Sequence, residues 1–185
     1  MSEPFRTRRF QAVAPELRPH RSRTAARVII TDGASVLLLA DTDPGLPGTR
    51  WWVTPGGGID PGETPLIAAV REIEEETGLV VDAARLLGPI ATRTVVHGYS
   101  DQVLSQTEAF FVLTVAETFD PDAAGLTPDE QITLDGWAWH PLDDLASIPE
   151  PVWPSDLAAL AALGTTPERW PVDLGRVEES TLPLD

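Results

Sequence analysis

The clearest periodic pattern of apolar and polar positions along the chain lies between residues 64 and 79. Apolar side chains recur there at the three- and four-residue spacing of a helix, followed by a threonine: Leu66, Ala69, Val70, Ile73 and Thr77. Three glutamates, at positions 72, 75 and 76, lie on the other side. The pattern predicts one amphipathic helix that ends before Gly78, which stands where a C-terminal capping glycine would.

Shorter apolar and β-branched stretches predict strands on both sides of this helix. Residues 26–31 and 35–40 predict two strands joined by a tight turn at Asp32-Gly33. Further strands are predicted at residues 51–54, 86–96, 107–116 and 134–139, and the second of these has a break at Gly88-Pro89. Short helices are predicted to begin at Pro141 and, after Ser155-Asp156, to run to Ala162. The order of elements indicates a single α/β domain.

The two ends of the chain lack this periodicity. Residues 1–22 form an Arg- and Pro-containing N-terminal arm, which we expect to be flexible or loosely docked. A sharper alternative is that its arginines pair with the acidic body, a second subunit or substrate phosphates. Residues 23–163 form the predicted domain, and residues 164–185 an acidic C-terminal tail, either poorly ordered or wrapped on the surface.

Composition and charge narrow the classes of function. The net charge is −16 with no lysine, and residues 28–185 hold 27 acidic residues against six arginines. This acidic body argues against nucleic-acid binding, which needs a basic surface. The absence of cysteine excludes disulfides and thiolate metal sites. The longest apolar run, residues 157–163, is too short to span a bilayer, so we expect no membrane partner and a cytoplasmic location.

The glutamates of the predicted helix are the strongest candidates for chemistry. Like charges at spacings of three and four residues repel one another by a few tenths of a kcal/mol per pair. A hard divalent cation, which takes oxygen ligands, would relieve that repulsion. The preceding loop, with Gly56, Gly57 and Gly58, has little side-chain bulk and lets its backbone approach a ligand closely. Glu63 is predicted at the start of the helix, where the macrodipole favours a negative charge.

The loop and helix together resemble the signature of the Nudix hydrolases. The pattern G-x5-E-x7-R-E-U-x-E-E-x-G-U, with U a bulky aliphatic residue, is met at every fixed position by Gly57, Glu63, Arg71, Glu72, Ile73, Glu75, Glu76, Gly78 and Leu79. The resemblance covers about residues 24–163 and includes the preceding run Trp-Trp-Val-Thr-Pro-Gly-Gly-Gly. It implies the α/β fold of that family, an α/β/α sandwich with a mixed β-sheet and the Nudix loop-helix.

The same resemblance implies a magnesium site, in which manganese could replace magnesium. Glu72 and Glu76 would be the principal ligands, Glu75 and the Gly57 carbonyl would complete the set, and Glu63 would bind directly or through water. Arg71 would brace the site by ion pairing. The general base varies within the family, and the candidates here are Glu72 and Glu130, with Asp129 third.

Residues that bind the rest of the substrate are harder to predict. Arg27 and Arg23 flank the first strand and could contact phosphate. Trp51 and Trp52 point to opposite faces of a strand, so one is expected in the core while the other, taken as Trp52, stacks on a base. Tyr99 only partly matches a tyrosine of members that cleave dinucleoside polyphosphates. The three histidines show no ligand spacing and are interpreted as incidental.

The predicted activity is therefore hydrolysis of a phosphoanhydride bond in a nucleoside diphosphate linked to another group. A modified or ordinary nucleoside triphosphate is the leading substrate, with dinucleoside polyphosphates, nucleotide sugars and ADP-ribose as alternatives. A non-catalytic nucleotide-binding module of the same fold is the alternative from another class, and a homodimer is left open. An isomerase of the same fold is disfavoured because its chemistry relies on a cysteine.

Overall fold

A computed structural model describes residues 8–184 of the chain. Its core is a nine-stranded mixed sheet. The strands are β1 (His20–Thr31), β2 (Ser35–Thr42), β3 (Arg50–Val53), β4 (Gly56–Gly58), β5 (Leu87–Gly98), β6 (Val103–Thr114), β7 (Leu134–Pro141), β8 (Val152–Trp153) and β9 (Val172–Glu178). The helices are α1 (Pro65–Thr77), α2 (Glu130–Thr133) and α3 (Leu157–Leu163).

The strand order runs β8-β3-β2-β1-β6-β5-β9, with β4 paired to β1 and β7 paired to β2. Three pairs are parallel, namely β1 with β6, β3 with β8 and β5 with β9, and the other pairs are antiparallel. The parallel pair of β1 and β6 is continuous over twelve residues and forms the centre of the sheet. The mixed sheet confirms the predicted α/β class.

Helices cover both faces of this sheet, and alternate residues of β1 supply both cores. Val28 and Ile30 pack with Ala69 and Ile73 of α1. Ile29 packs on the opposite face with Leu157 and other residues of α3. The period of two along the strand thus feeds two apolar layers, which gives the α/β/α sandwich.

The helix α1 has the boundaries that its capping residues dictate. Thr64 is the N-cap, and its side-chain oxygen accepts a hydrogen bond from the Ile67 N–H at 3.3 Å. Gly78 ends the helix in the left-handed conformation, with φ of 70°, as predicted. Glu63 lies one residue before the cap, so the prediction that the helix starts at Glu63 is wrong. Threonine competes better for the cap because its short side chain can reach back to the helix N–H groups.

Two other local predictions also need correction. No α-helix begins at Pro141, because β2 pairs with β7 as far as Pro141 and only a 3₁₀ turn at Leu145–Ser147 follows. The stretch around Gly88-Pro89 does not divide a strand in two. β5 instead runs through it with a shift of register between Leu87 and Ala91.

The acidic tail is part of the sheet, which corrects the expectation that it is poorly ordered or wrapped on the surface. β9 pairs in parallel with β5 at the sheet edge. Beyond it, Glu179 is buried and accepts hydrogen bonds from Arg93 at 2.8 and 2.9 Å. A buried arginine needs such a carboxylate, so this ion pair ties the tail to the body.

The N-terminal arm is also docked in its described part. Arg18 is buried and donates hydrogen bonds to the carbonyl oxygens of Tyr99 at 3.4 Å and Pro183 at 2.7 Å. Arg8 pairs with Asp101 at 2.6 Å. These contacts contradict a flexible arm for residues 8–22 and match the alternative that its arginines pair with the body, while residues 1–7 lie outside the described residues. Within residues 8–184, no helix has the length and apolar character needed to cross a membrane.

Candidate active site

The turn before α1 that contains three glycines, residues 54–58, packs against the central strand β1, and we call it the glycine turn. β4 pairs with β1, and Gly56 lies opposite Arg27. Gly56 has φ of 130°, and a Cβ built on it would lie 2.1 Å from the Ala26 carbonyl oxygen. Only glycine can occupy this position, because any side chain would collide with the backbone of β1. The close approach brings the backbone of the turn within reach of the α1 side chains.

Three carboxylates converge beside this turn. Glu72, Glu76 and Glu130 each offer one oxygen, and these oxygens lie within 4.8 Å of one another. Glu72 and Glu76 are one helical turn apart on α1, whereas Glu130 begins α2 and reaches the cluster from a distant part of the sequence. The helix spacing therefore supplies two members of the cluster and the tertiary fold supplies the third.

Backbone groups of the turn hold two of these carboxylates in place. The Gly56 N–H donates a hydrogen bond of 2.7 Å to Glu76 Oε2. The Glu72 carboxylate lies against Gly57, where an added Cβ would be 2.7 Å from Glu72 Oε1. Glu72 Oε2 is buried and has no hydrogen-bond partner among the described residues. A buried carboxylate oxygen without a partner is costly, so the arrangement favours a bound cation at this point.

The pKa shifts of Glu72 and Glu76 also indicate that the cluster favours a bound cation. Burial raises the pKa of Glu72, although the nearby Arg71 acts in the opposite direction. Burial, and then the charges of Glu72 and Glu130, raise the pKa of Glu76 well above its usual range. Three acidic groups so arranged repel one another, and a divalent cation with oxygen ligands would remove the repulsion. The donor set suits Mg²⁺ or Mn²⁺.

Arg71 gathers the remaining predicted ligands on the flank of the cluster. Its guanidinium pairs with Glu63 at 2.9 Å and with Glu75 at 3.0 Å, and it also contacts Glu72 at 2.7 Å. Arg71 Nη2 donates to the Gly58 carbonyl at 2.8 Å. Arg71 therefore makes ion pairs of the predicted kind, while Glu63 and Glu75 lie with Arg71 and outside the three-carboxylate cluster.

Glu130 is fixed by a local motif that the sequence contains. Thr127-Pro-Asp-Glu130 has the spacing of a capping box, and Glu130 Oε2 accepts hydrogen bonds of 2.7 Å from both Thr127 N and Thr127 Oγ1. Asp129, the third candidate base, is not a member of the cluster. The motif could have indicated from sequence that Glu130 is held in a defined position.

All three predicted substrate-binding residues, Arg27, Trp52 and Tyr99, lie largely inside the protein, with Tyr99 only 9% exposed. Arg27 Nε donates to Glu108 Oε1 at 3.0 Å, and its Nη1 donates to the Gly56 carbonyl at 2.6 Å. Trp52 is only 7% exposed and packs in the core beneath α3. Strand alternation sends Trp52 into the apolar layer of α3 and Trp51 into a second buried cluster with Tyr99. Arg27, Trp52 and Tyr99 therefore lack the exposed placement that stacking or phosphate binding would require.

Tyr99 and Trp51 border a small cavity next to the turn. Its volume is about 20 Å³, and Thr54, His97 and Trp153 also line it. The Trp51 and Trp153 rings are 4.9 Å apart, and the His97 ring stacks on Tyr99 at 5.4 Å. A cavity of this volume has room for a single water molecule. This aromatic group was not predicted, because its members come from three separate segments of the chain.

His97 is not incidental, because the fold keeps its ring neutral. Burial lowers the pKa of His97 from 6.5 to about 4. The unfolded chain therefore takes up a proton between these two pH values that the folded protein does not, and stability falls as the pH falls. The loss approaches about 3 kcal/mol when the pH reaches the lower value.

This pH dependence can be measured by urea unfolding at pH 7.5 and 4.5. His97→Asn retains a donor for the Glu179 carbonyl, which His97 Nδ1 contacts at 2.6 Å, but cannot titrate. The wild type is expected to lose about 2 to 3 kcal/mol more than this variant between the two pH values. An equal loss in both proteins would contradict a neutral buried ring, whatever the other groups contribute.

The sequence matches one family model and several known proteins. The family model of the NUDIX domain matches residues 21–163. An RNA pyrophosphohydrolase from Aliivibrio salmonicida is 29% identical over 128 residues, which are 63% of this chain and 74% of that protein. A second RNA pyrophosphohydrolase, from Ruthia magnifica, is 28% identical over 122 residues, or 60% of this chain and 67% of that protein.

Solved structures share the architecture. A MutT NUDIX hydrolase from Burkholderia pseudomallei matches with a TM-score of 0.52 and 25% identity, over 74% of this chain and 95% of that chain. A mutator MutT protein from Bacillus halodurans matches with a TM-score of 0.55 and 20% identity, over 86% of this chain and 91% of that chain. The second likeness concerns the fold alone.

Proposed function

This chain belongs to the Nudix family and is a hydrolase that acts on pyrophosphate bonds. On this basis we propose which cofactor it uses, which residues form its site and which class of substrate it hydrolyses. The cofactor is Mg²⁺, which Mn²⁺ can replace. The reaction is hydrolysis of a phosphoanhydride bond in a nucleoside diphosphate linked to another group. The leading substrate is a modified or ordinary nucleoside triphosphate.

One observation carries the proposal, namely the three-carboxylate cluster beside the glycine turn. Glu72, Glu76 and Glu130 bring their oxygens within 4.8 Å of one another. Glu72 Oε2 has no protein partner among the described residues, although it is buried. Mg²⁺ keeps several waters and takes few protein carboxylates, so a polyphosphate can complete its coordination.

The protein groups then have distinct roles. Glu72, Glu76 and Glu130 would hold the cation, which would neutralise charge on the phosphoryl oxygens. The Gly56 N–H keeps Glu76 oriented, and Arg71 keeps Glu72 and Glu75 on one side of the helix. Glu75 and Glu63 remain proposed ligands for a second cation or for waters around the first. The Gly57 carbonyl is proposed to complete the set.

The attacking water must lose its proton to a carboxylate near the cluster. Glu72 and Glu130 are the proposed general bases, because both belong to the cluster. Glu130 is held by Thr127 through one oxygen, which fixes its direction. Replacing Thr127 would therefore change the orientation of the Glu130 carboxylate without changing the charge of the site.

The charge of the protein favours a small nucleotide over a polynucleotide. The two relatives named above are RNA pyrophosphohydrolases, so a triphosphorylated RNA end is a specific competitor for the proposed substrate. An RNA chain would bring many phosphates to a protein of net charge −16. A free nucleotide brings only the few phosphates that the cation neutralises.

A substrate panel tests the proposal. We expect a nucleoside triphosphate, ordinary or oxidised, to have a kcat/KM roughly tenfold or more above that of dinucleoside polyphosphates, ADP-ribose, nucleotide sugars and triphosphorylated RNA. Mg²⁺ should be required, and EDTA should abolish turnover. Product analysis after reaction in ¹⁸O-labelled water would show which phosphorus is attacked. A higher kcat/KM for triphosphorylated RNA would contradict the substrate class, and turnover in EDTA would contradict the metal.

A further inference from the structure

Arg27 connects the central sheet to the glycine turn. Its side chain is 15% exposed, and its Nε donates to Glu108 Oε1 at 3.0 Å. Its Nη1 donates to the carbonyl oxygens of Gly56 at 2.6 Å and Thr54 at 3.3 Å. The guanidinium therefore uses its fixed fork to join a buried carboxylate on β6 to two carbonyls of the turn.

Glu108 is itself firmly held, so the connection has a rigid base. Glu108 is buried and also accepts hydrogen bonds of 2.6 Å from Arg93 Nε and from Gln106 Nε2. Arginine charges at Arg27 and Arg93 outweigh the effect of burial and lower the pKa of Glu108 to about 2. The carboxylate is thus ionised throughout the ordinary pH range and anchors Arg27.

The residue Gly56 carries this connection to the acidic cluster through its two adjoining peptide units. Its carbonyl accepts from Arg27, and its N–H donates to Glu76 Oε2 at 2.7 Å. The Pro55 carbonyl, which is in the same peptide unit as the Gly56 N–H, accepts from Val28 N at 2.8 Å. Val28 and Arg27 thus hold the two peptide units on either side of the Gly56 Cα. A rotation of this turn would withdraw the N–H from Glu76.

We propose that Arg27 is a positioning residue, which sets the direction of the Glu76 carboxylate by holding the Gly56 carbonyl and thereby the Gly56 N–H. This assignment replaces the prediction that Arg27 binds a substrate phosphate. It rests on the proposed metal site for its effect on turnover, but the geometry of the turn can be tested without turnover. Outer partners of metal ligands typically change metal affinity or activity by 10- to 100-fold when they are removed, and roughly tenfold is expected here.

Two variants and a matched control separate this role from others. Arg27→Met removes every donor, and Arg27→Lys keeps a charge beside Glu108 but lacks the fork that also reaches the turn. Arg93→Lys is the control, because Arg93 binds the same carboxylate and, within residues 8–184, makes no hydrogen bond to the turn. A general effect of disturbing the buried charges would appear in the control as well.

The first measurements need no substrate. Manganese titration followed by electron paramagnetic resonance should give a Kd about tenfold higher for Arg27→Met and unchanged for Arg93→Lys. The Gly56 amide should exchange with solvent about tenfold faster in both Arg27 variants, while amides of β5 keep their rates. If Arg27→Met does not fold, the Gly56 amide of Arg27→Lys is measured alone. Faster exchange supports the positioning role of Arg27, and an unchanged rate contradicts it.

Kinetics with the best substrate of the panel complete the test. A positioning role predicts a kcat about tenfold lower with KM changed by less than about threefold. A substrate-phosphate contact predicts instead a raised KM with wild-type manganese affinity and Gly56 exchange, and that result would overturn the assignment. Failure of the proposed function would appear separately, as a wild-type protein that binds manganese but hydrolyses none of the compounds.

Discussion

Glu76→Gln is expected to lower kcat by about 10³-fold or more. Glu76 belongs to the three-carboxylate cluster and is the member that the Gly56 N–H orients. Charge stabilisation by a bound metal contributes several kcal/mol to the transition state, and each 1.36 kcal/mol corresponds to about a tenfold change in rate. Glutamine keeps the shape and an oxygen for the Gly56 N–H, but removes the charge that holds the cation.

The fold should survive this substitution. Removing one of three mutually repelling charges leaves the apolar packing of α1 intact, so the melting temperature should be unchanged or higher without metal. Glu74→Gln is the matched control, since Glu74 lies on the same helix but is exposed and outside the cluster. Steady-state kinetics of both variants test the prediction, and near-normal turnover in Glu76→Gln would remove the basis for the metal site.

Gly57→Ala should reduce turnover by roughly 100-fold, because a methyl group would displace the Glu72 carboxylate. The added Cβ would lie 2.7 Å from Glu72 Oε1 and 2.9 Å from Glu72 Oε2, so the side chain must move. A displacement near 1 Å at a reacting centre can cost about 10²-fold in rate. Gly57 does not have a positive φ, so alanine fits its backbone and the fold should hold.

The neighbouring glycine offers the control for this prediction. A Cβ on Gly58 would meet only the Arg23 side chain, at 3.5 and 3.7 Å, which is ordinary contact. Gly58→Ala should therefore keep both its melting temperature and its kcat. Equal activity of the two alanine variants would show that Glu72 does not need its position against the turn, whereas equal loss would point to rigidity of the turn itself.

Much of the fold follows from local patterns, because the strongest elements are fixed by nearby residues. The helix α1 could be placed from its apolar spacing and from Gly78, and β1 and β2 from their apolar runs and the turn at Asp32-Gly33. β9 could not be placed from sequence, since the alternation of apolar and polar residues along it is weak and the strand depends on parallel pairing with the distant β5. Pairing across such a distance leaves no mark in the sequence of the strand.

The candidate site also has a part that local sequence predicts and a part that depends on tertiary contacts. Helical spacing brings Glu72 and Glu76 together, and the family resemblance identifies the glycine turn. The four-residue spacing allows the pair of Arg71 with Glu75, but it cannot show that Glu63, which lies before the helix, also turns towards Arg71. Strand alternation separates Trp51 from Trp52 but does not say that the fold covers both faces of the strand.

The segment matched by the family model is shorter than the folded sheet. The family match stops at residue 163, but β9 and the buried Glu179 come later and complete the edge of the sheet. Cutting the chain at the end of the match would bare the backbone groups of β5 and leave Arg93 with one of its two carboxylates. A chain ended at residue 163 is therefore expected to lose stability at this edge of the sheet, so the boundary of the family match is not a boundary of the folded sheet.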